Sequence, residues 1–455
     1  MPLYLVKFIR LIIMTKYMKY DNMIITIYFD NQTKCFLEIK KRIEKALKKY
    51  ESLKIINGKE EGREILMIVE PKFRGFICTT SHPTGCKKNV ENQIDYVKEK
   101  GKIEGAKRVL VLGASTGYGL ASAIVASEAC DAEVLGVSFE REAKGKRTAS
   151  AGWYNIESLK KFAESEGKKF ISVNGDAFSN EVKNEVIDLI KENMGKVDLV
   201  IYSLAAPKRK DPVSGEVYNS CLKTVGAPFT SKTLDFHTGE IRDITINPAT
   251  EEEIEGTRKV MGGEDWMLWI EALKEANVLE NGVKTIAYSY IGPEVTYPIY
   301  REGTIGRAKN DLEKTAGEIT EVLKSLSGEG YVSVNKALVT QASSAIPIVS
   351  LYISILYKVM KEKGTHEGCI EQIYRMFKEL YEGKLNLDSE NRIRIDDLEM
   401  AEDVQKAIEE IWPQITSENV FELSDAEDFK KEFFKLFGFG LEGVDYSEDV
   451  DITTV

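Results

Sequence analysis

The chain has 455 residues, of which 43% are hydrophobic and 30% are charged, and its formal net charge at pH 7 is −11. The acidic balance excludes general nucleic-acid binding, and no apolar run reaches the roughly 20 residues needed to cross a bilayer. The length predicts two domains or one large α/β domain with insertions. Six scattered cysteines without the spacing of a disulfide framework predict free thiols and a cytoplasmic location.

Residues 1–66 are predicted to be an extension outside the working protein. Met1–Asn31 mixes apolar and cationic residues as a signal peptide does, but Arg10 interrupts the apolar run and no small-residue cleavage site follows. Purine-rich codons for Lys59–Gly62 would resemble a ribosome-binding site, and Met67 follows closely. We therefore expect translation to start at Met67. The alternative is a small accessory segment.

Cys78, His82 and Cys86 have the spacing of metal ligands. Only three soft ligands are present, without an obvious fourth, and the neighbouring Pro83 and Gly85 are turn residues. We therefore expect a turn and no metal here, followed by an amphipathic helix over residues 87–100.

A glycine-rich turn follows the first apolar strand pattern. Arg108–Leu112 has the composition of a buried strand, and G-A-S-T-G-Y-G at 113–119 leads into a helix. Gly113 allows the tight turn, Gly117 lets backbone amides approach a pyrophosphate, and Gly119 lets the helix pack closely. The spacing is not G-x-G-x-x-G, and a plain tight turn is the alternative.

Acidic residues close the next two strands. Glu140 follows the strand predicted at 133–139 and can accept hydrogen bonds from the adenosine ribose, which favours NADH over NADPH. The adjacent Arg141 could instead hold a 2′-phosphate. Asp176 follows the strand at 169–173, where a carboxylate can meet the adenine amine.

The order of these elements predicts the fold class. A helix at 179–194 and a strand at 197–202 continue the alternation, which indicates an α/β, doubly wound parallel sheet of the Rossmann type. Residues 208–280 are predicted to be an inserted, substrate-covering segment that begins with a β-hairpin or lid, and residues 364–455 an appended helical region.

The insertion opens with three consecutive cations, Lys208, Arg209 and Lys210. Three adjacent positive charges could meet a phosphorylated substrate such as coenzyme A. A solvated loop is an equally good interpretation.

A dense run of tyrosines followed by a lysine occupies residues 288–309. Residues nine apart on a helix are turned by about 180°, so Tyr300 and Lys309 cannot share one helix face. We expect Thr304 to be the N-cap of a helix that carries Lys309 in its second turn, with Tyr300 in the preceding loop. A nearby lysine cation is expected to lower the pKa of a tyrosine from about 10 and make the phenol a better acid. Tyr288 and Tyr297 are rival candidates.

Seven motifs carry a family resemblance. They are G-A-S-T-G-Y-G-L-A, A-G-W-Y-N, Y-S-L-A-A-P, V-M-G-G-E-D-W, Y-S-Y-I-G-P, Y-R-E-G-T-I-G-x-A-K and V-S-V-N-K-A-L-V-T. From Met67 onward the chain resembles the trans-2-enoyl-CoA reductase family, which includes the V-type enoyl-ACP reductases and is a divergent part of the short-chain dehydrogenase/reductase superfamily. The resemblance implies NADH-dependent reduction of the 2,3 double bond of an enoyl thioester, on coenzyme A or acyl carrier protein.

The resemblance also implies roles for individual residues. Tyr300 is the implied proton donor, Tyr290 a substrate contact that can share this task, and Lys309 a cofactor ligand. The implied pyrophosphate contacts are Gly113, Ala114, Ser115, Thr116, Gly117 and Tyr118. The implied contacts of the adenosine half are Phe139, Glu140, Asp176 and Ala177. The implied nicotinamide contacts are Leu204, Ala205, Leu338, Val339 and Thr340.

Two rival functions stay open. A short-chain ketoreductase also uses tyrosine and lysine, but four residues apart, which the present spacing disfavours. The second rival function is that of a catalytically silent, nucleotide-binding regulator. No metal, membrane or nucleic-acid partner is expected, and the chain is expected to be a monomer or weak dimer.

Overall fold

A seven-stranded parallel sheet forms the centre of the molecule. The computed structural model describes residues 65–455 apart from 75–76, 342 and 347, so the expected extension at residues 1–66 lies outside the described residues except for Ile65 and Leu66. The strands of the sheet are β1 (Arg108–Leu112), β2 (Glu133–Ser138), β3 (Phe170–Asn174), β4 (Val197–Tyr202), β5 (Leu279–Ser289), β6 (Glu329–Val334) and β7 (Ile393–Arg394). They lie in the order β3-β2-β1-β4-β5-β6-β7, and every neighbouring pair is parallel. The predicted doubly wound, Rossmann-like class is confirmed.

Helices cover both faces of this sheet. In chain order they are α1 (Pro83–Lys100), α2 (Gly117–Glu128), α3 (Ala151–Ser165), α4 (Asn180–Asn193), α5 (Glu251–Met261), α6 (Glu264–Glu275), α7 (Thr304–Leu323), α8 (Val349–Glu362), α9 (Cys369–Glu382), α10 (Glu402–Ile411), α11 (Val420–Leu423) and α12 (Ala426–Lys435). All described residues belong to one compact unit, Glu64–Val455.

Alternation along β1 shows how the two faces are filled. Val109 and Val111 pack on one face with α1, α2, α3 and α9. Leu110 and Leu112 pack on the other face with α4, α6 and α7. Successive side chains of a strand point to opposite faces, and both faces here are covered. The uninterrupted apolar run of β1 follows from this double burial.

Two antiparallel hairpins of the inserted segment stand apart from the sheet. Lys208–Lys210 pairs with Val217–Asn219, and Phe229–Asp235 pairs with Glu240–Ile246. A β-hairpin at the start of the inserted segment was predicted and is present. The second hairpin packs with α8, α10 and α12 in a separate apolar core.

The two ends of the described chain meet. Leu66–Met67 pairs antiparallel with Val450–Asp451. Among residues 65–455, with the gaps given above, no helix has the length and apolar character needed to cross a bilayer.

Candidate active site

A cavity of about 1080 Å³ lies at the carboxyl ends of the central strands. This edge is where doubly wound folds bind their ligands. The predicted site residues that line the cavity are Gly113, Ser115, Thr116, Gly117, Tyr118, Phe139, Glu140, Asp176, Ala177, Leu204, Ala205, Tyr290, Tyr300, Lys309, Leu338, Val339 and Thr340. The structure therefore brings together residues that are up to 227 positions apart, from 113 to 340.

Ala114 is the one predicted site residue that does not line the cavity. It is fully buried, and its amide donates to the oxygen of Val137 at 2.9 Å. Its methyl group faces β2, where a Cβ placed on Gly136 would approach it to 2.9 Å. Ala114 thus packs behind the turn, and its implied contact with the pyrophosphate stays a prediction.

The glycine-rich turn has space where a phosphate would bind. Gly117 has φ +54°, and a Cβ placed on it would meet only Thr340 Cγ2, at 3.9 Å. Thr116 caps α2 without a side-chain hydrogen bond to the helix. Thr116, Gly117 and Tyr118 line the cavity, so the start of α2 borders it, and a helix N-terminus in this position suits an anion. These residues fit the pyrophosphate of a dinucleotide.

Glu140 lines the cavity beside the glycine-rich turn. Its Oε1 accepts a hydrogen bond from Ser115 Oγ at 2.6 Å, which fixes the carboxylate beside the glycine-rich turn. Gly152, of the A-G-W-Y-N motif, passes so close that a Cβ there would lie 2.1 Å from the same oxygen. The neighbouring Phe139 side chain is 77% exposed and free to contact a ligand.

A buried ion pair lies beneath the loop that carries Asp176 and Ala177. Lys183 Nζ donates to Asp265 Oδ1 at 2.8 Å and to the oxygens of Ala177 and Phe178, both at 3.1 Å. Burial lowers the pKa of Lys183 and raises the pKa of Asp265. Sequence reasoning missed this pair, although Asp265 lies within the V-M-G-G-E-D-W motif. The pair ties the inserted segment to the loop that carries Asp176 and Ala177.

Tyr300 and Lys309 occupy the predicted positions relative to α7. Lys309 lies in the second turn of the helix, and Tyr300 lies in the turn that precedes it. The predicted cap was wrong: Gly303 is the N-cap. The hydroxyl of Thr304 instead donates to the oxygen of Cys221, in the inserted segment, at 2.6 Å.

The Tyr300 phenol faces the cavity with its hydrogen available. Within the described part of the chain its hydroxyl has no hydrogen-bond partner, while its ring contacts that of Tyr290 edge-on, with centroids 4.8 Å apart. Burial raises the pKa of Tyr300, because a phenolate is disfavoured away from water. The neutral, donating form is therefore the one present at neutral pH.

The expectation that Lys309 lowers the pKa of Tyr300 was wrong. Lys309 Nζ donates to the oxygen of Tyr288 at 2.9 Å, so the ammonium is held at the end of β5. Burial lowers the pKa of Lys309 to about 8, and Glu313 opposes this shift. Burial alone sets the direction for Tyr300.

The rival tyrosines differ from Tyr300 in their surroundings. Tyr288 lines the cavity, but its hydroxyl is paired with Ser122 Oγ at 2.6 Å. Tyr297 is not among the residues that line the cavity. Tyr300 is thus the better placed donor of the three.

The three consecutive cations do not act as one patch. Arg209 is 1% exposed, and its guanidinium donates to the oxygen of Lys259 at 2.7 Å and to Glu264 at 3.2 Å. Only the flanking Lys208 and Lys210 are exposed, and both line the cavity. Alternation along the strand explains the split, so the expectation that all three could meet a phosphate was wrong.

The Cys78–His82–Cys86 segment caps a helix. His82 precedes α1, and its Nδ1 accepts from the amide of Gly85 at 3.1 Å, so the helix begins at Pro83 rather than at 87. Among the described residues, no three His, Cys, Asp or Glu side chains are grouped so as to hold a metal ion.

The parallel sheet, the start of α2 at the cavity and the cavity wall formed by Tyr290, Tyr300 and Lys309 together define a class of protein. This class is the Rossmann-type, nucleotide-dependent oxidoreductases. The chain matches the family model for the catalytic region of trans-2-enoyl-CoA reductase over residues 147–381 and that for the NAD(P)H binding domain of the same enzyme over residues 68–145. The chain belongs to the trans-2-enoyl-CoA reductase family, which confirms the predicted family and enzyme class.

Individual relatives agree with this assignment. The trans-2-enoyl-CoA reductase [NADH] of Clostridium perfringens (strain SM101 / Type A) is 97% identical over 389 residues, which are 86% of this chain and 100% of that relative. The enoyl-[acyl-carrier-protein] reductase [NADH] of Flavobacterium johnsoniae is 57% identical over 85% of this chain and 98% of that relative.

A solved structure has the same fold. The Clostridium acetobutulicum trans-2-enoyl-CoA reductase in complex with NADH matches with a TM-score of 0.83 and 50% identity, over 85% of this chain and 98% of that chain. The NADH bound to that relative agrees with the predicted cofactor.

A third family model, described as an enoyl reductase FAD binding domain, matches residues 387–450. The residues of this segment do not form a flavin site. Its large apolar side chains, such as Phe429 and Phe433, are buried in the core. Neither α10 nor α12 begins on a glycine-rich turn, and the segment contributes only Glu432, Lys435 and Leu436 to the cavity.

Proposed function

We propose that this chain catalyses the NADH-dependent reduction of the 2,3 double bond of a trans-2-enoyl-CoA, with Tyr300 as the proton donor. One observation carries the proposal: a neutral phenol, without a partner in the described residues, faces the same cavity as an open helix start that suits a pyrophosphate. A short-chain substrate is proposed, as in the conversion of crotonyl-CoA to butyryl-CoA.

The chain's own residues would hold the cofactor along the carboxyl edge of the sheet. The amides at the start of α2 would bind the pyrophosphate, Glu140 the adenosine ribose, and Asp176 with Ala177 the adenine. Lys309 and the segment 338–340 would lie at the nicotinamide end. When bound, NADH supplies the hydride for the double bond.

Tyr300 would act on the thioester side of the reaction. As hydride addition at C3 builds negative charge on the thioester oxygen, a hydroxyl directed at this atom would stabilise the enolate. The phenol would then supply the proton that C2 gains, and water would reprotonate the phenolate. The Lys309 ammonium, held at the end of β5 by the Tyr288 oxygen, adds positive charge to the same wall of the cavity.

The acyl carrier is proposed to be coenzyme A. Lys208 and Lys210 are exposed at the cavity, where two ammonium groups can meet the phosphates of coenzyme A. The name of the 97% identical relative supports this choice. The alternative is an enoyl-ACP reductase of fatty acid biosynthesis, which the name of the Flavobacterium relative supports.

The test is the loss of NADH absorbance with crotonyl-CoA and, separately, with crotonyl-ACP. Faster turnover of crotonyl-CoA, with KM raised when Lys208 and Lys210 are both replaced by alanine, is the expected result. Faster turnover of crotonyl-ACP would replace the carrier assignment with the alternative. Absence of NADH oxidation with both substrates would favour a silent nucleotide-binding regulator.

A cytoplasmic monomer or weak dimer is the proposed setting. The described cysteines, Cys78, Cys86, Cys130, Cys221 and Cys369, are all free thiols, which suits a reducing compartment.

A further inference from the structure

A buried carboxylate lies behind the part of the cavity wall that Tyr290 and Tyr300 form, here called the tyrosine wall. Glu399 is fully buried, and its Oε1 accepts hydrogen bonds from Tyr290 at 3.0 Å and from Tyr352 at 2.7 Å. Its Oε2 accepts from the amide of Ala337 at 2.6 Å. Burial raises the pKa of Glu399, and the Lys336 cation together with the hydrogen bonds from Tyr352 and the Ala337 amide oppose that shift.

The three donors belong to different parts of the site. Tyr290 follows β5, and Ala337 leads into the segment 338–340. Tyr352 lies on α8, a helix that also lines the cavity. Glu399 itself comes from the chain between β7 and α10. The Glu399 side chain therefore connects the tyrosine wall, the segment proposed to contact the nicotinamide and helix α8.

The charge on Glu399 has a nearby counterpart. Lys336 is 2% exposed, donates from Nζ to the oxygen of Ala337 at 3.0 Å and lies over the ring of Tyr357 at 4.7 Å. Burial lowers the pKa of Lys336 to about 8, and the negative charge of Glu399 opposes that shift. The cation and the carboxylate thus stabilise each other within the protein.

The bond to Glu399 decides what Tyr290 can do. A phenol has one hydrogen, and that of Tyr290 is donated to Glu399, so its oxygen can only accept from a ligand in the cavity. Its ring remains edge-on to the ring of Tyr300, with centroids 4.8 Å apart.

We infer that Glu399 is a positioning residue that holds the Tyr290 ring against Tyr300, so that Tyr300 is the single proton donor of this wall. The inference rests on the proposed donor role of Tyr300. Tyr290 then orients the donor and does not share its task.

The test is a double-mutant cycle between Glu399→Gln and Tyr290→Phe. Each single variant should lower kcat about ten- to hundredfold by misplacing Tyr300, with the KM for NADH changed less than about twofold. The double variant should be no slower than Tyr290→Phe alone, because both changes break the same link. Losses that multiply in the double variant would overturn the inference.

Tyr352→Phe is the matched control. It removes the other phenol from the same carboxylate oxygen while the Tyr290 bond stays, so its kcat should fall less than that of Tyr290→Phe. Equal losses from the two phenylalanine variants would contradict a specific link to Tyr290. The comparison of Tyr290→Phe with Tyr352→Phe still tests the link between Glu399 and Tyr290 if Glu399→Gln fails to fold, because both of these variants keep Glu399.

Tyr300→Phe separates this inference from the function on which it rests. Near-normal turnover of that variant would remove the proposed donor itself. The other informative result is a loss of turnover in Tyr300→Phe together with a double variant in which the kcat losses of Glu399→Gln and Tyr290→Phe multiply. That result would refute only the positioning role of Glu399.

Discussion

Lys309 donates a hydrogen bond to the main-chain oxygen of Tyr288, 21 residues earlier, at 2.9 Å. The bond fastens the second turn of α7 to the end of β5, where the chain enters the tyrosine-rich turn. The ammonium is thereby held at the cavity wall, and the hydroxyl of Tyr300 is left without a partner in the described residues.

Tyr300→Phe is expected to lower kcat by about 10²–10⁴-fold, the range for loss of a general acid. The ring and its contact with Tyr290 remain, so binding of NADH, measured by fluorescence titration, should be unchanged. Tyr297→Phe is the control, because Tyr297 is not among the residues that line the cavity. Turnover of Tyr300→Phe close to that of the parent would refute the donor assignment.

Glu140→Ala should narrow the preference for NADH over NADPH by about tenfold, the value of roughly one charge-assisted hydrogen bond. The carboxylate beside Ser115 would accept from the ribose hydroxyls and repel a 2′-phosphate. The measurement is the ratio of kcat/KM for the two cofactors, with the exposed neighbour Glu142→Ala as control.

An unchanged ratio in Glu140→Ala would count against the role of the carboxylate. Adding Arg141→Ala to this variant then tests the alternative. A further loss of NADPH use would show that Arg141 holds the 2′-phosphate.

Gly117→Ala should weaken NADH binding without preventing folding. The φ of +54° costs an alanine about 1–2 kcal/mol, but the added methyl group meets only Thr340 Cγ2, at 3.9 Å. Gly145→Ala is the matched control, since its φ is +57° and nothing lies within 4 Å of the added methyl. Both variants should melt at similarly lowered temperatures, and only Gly117→Ala should raise the KM for NADH. Equal KM values would contradict the phosphate site.

Lys183→Met should destabilise the protein by about 3–5 kcal/mol, because it leaves the buried Asp265 carboxylate without its cation. The side chains of this pair are 4% and 1% exposed. Lys314→Met provides the comparison: Lys314 and Glu318 are 75% and 49% exposed, and breaking such a pair costs less than about 1 kcal/mol. Denaturant unfolding of the two variants measures the difference. Equal stabilities would argue against a supporting role for the buried pair.

The pH dependence of stability should report the burial of Lys309. Burial lowers the pKa of Lys309 from 10.5 to about 8, so between these values the unfolded chain binds more protons at this residue, and its contribution to stability rises with pH. Lys309→Met should reduce this slope by at most about 1.4 kcal/mol per pH unit. Lys336, whose pKa burial also lowers to about 8, keeps part of the slope. Melting temperatures at pH 8, 9 and 10 that change by the same amount with pH in both proteins would contradict the shift.

The sequence by itself determined the strand-turn-helix order, the parallel class of the sheet and the position of Tyr300 outside α7. These features depend on local physics: apolar runs predict buried strands, glycine permits tight turns, and helix geometry excludes nine-residue spacing on one face. The edge of the sheet at which the site residues meet followed from the same alternation, because parallel strands end together.

Only the tertiary structure decided which charges and hydroxyls are paired. Glu399 meets Tyr290 across 109 residues, and Lys183 meets Asp265 across 82, and no local pattern encodes such contacts. Folding also buried Arg209 between its exposed neighbours and raised the pKa of Tyr300 where the sequence suggested a lower value. The physical reason is the same in each case: the cost of burying a polar group depends on neighbours that the fold brings from distant parts of the chain.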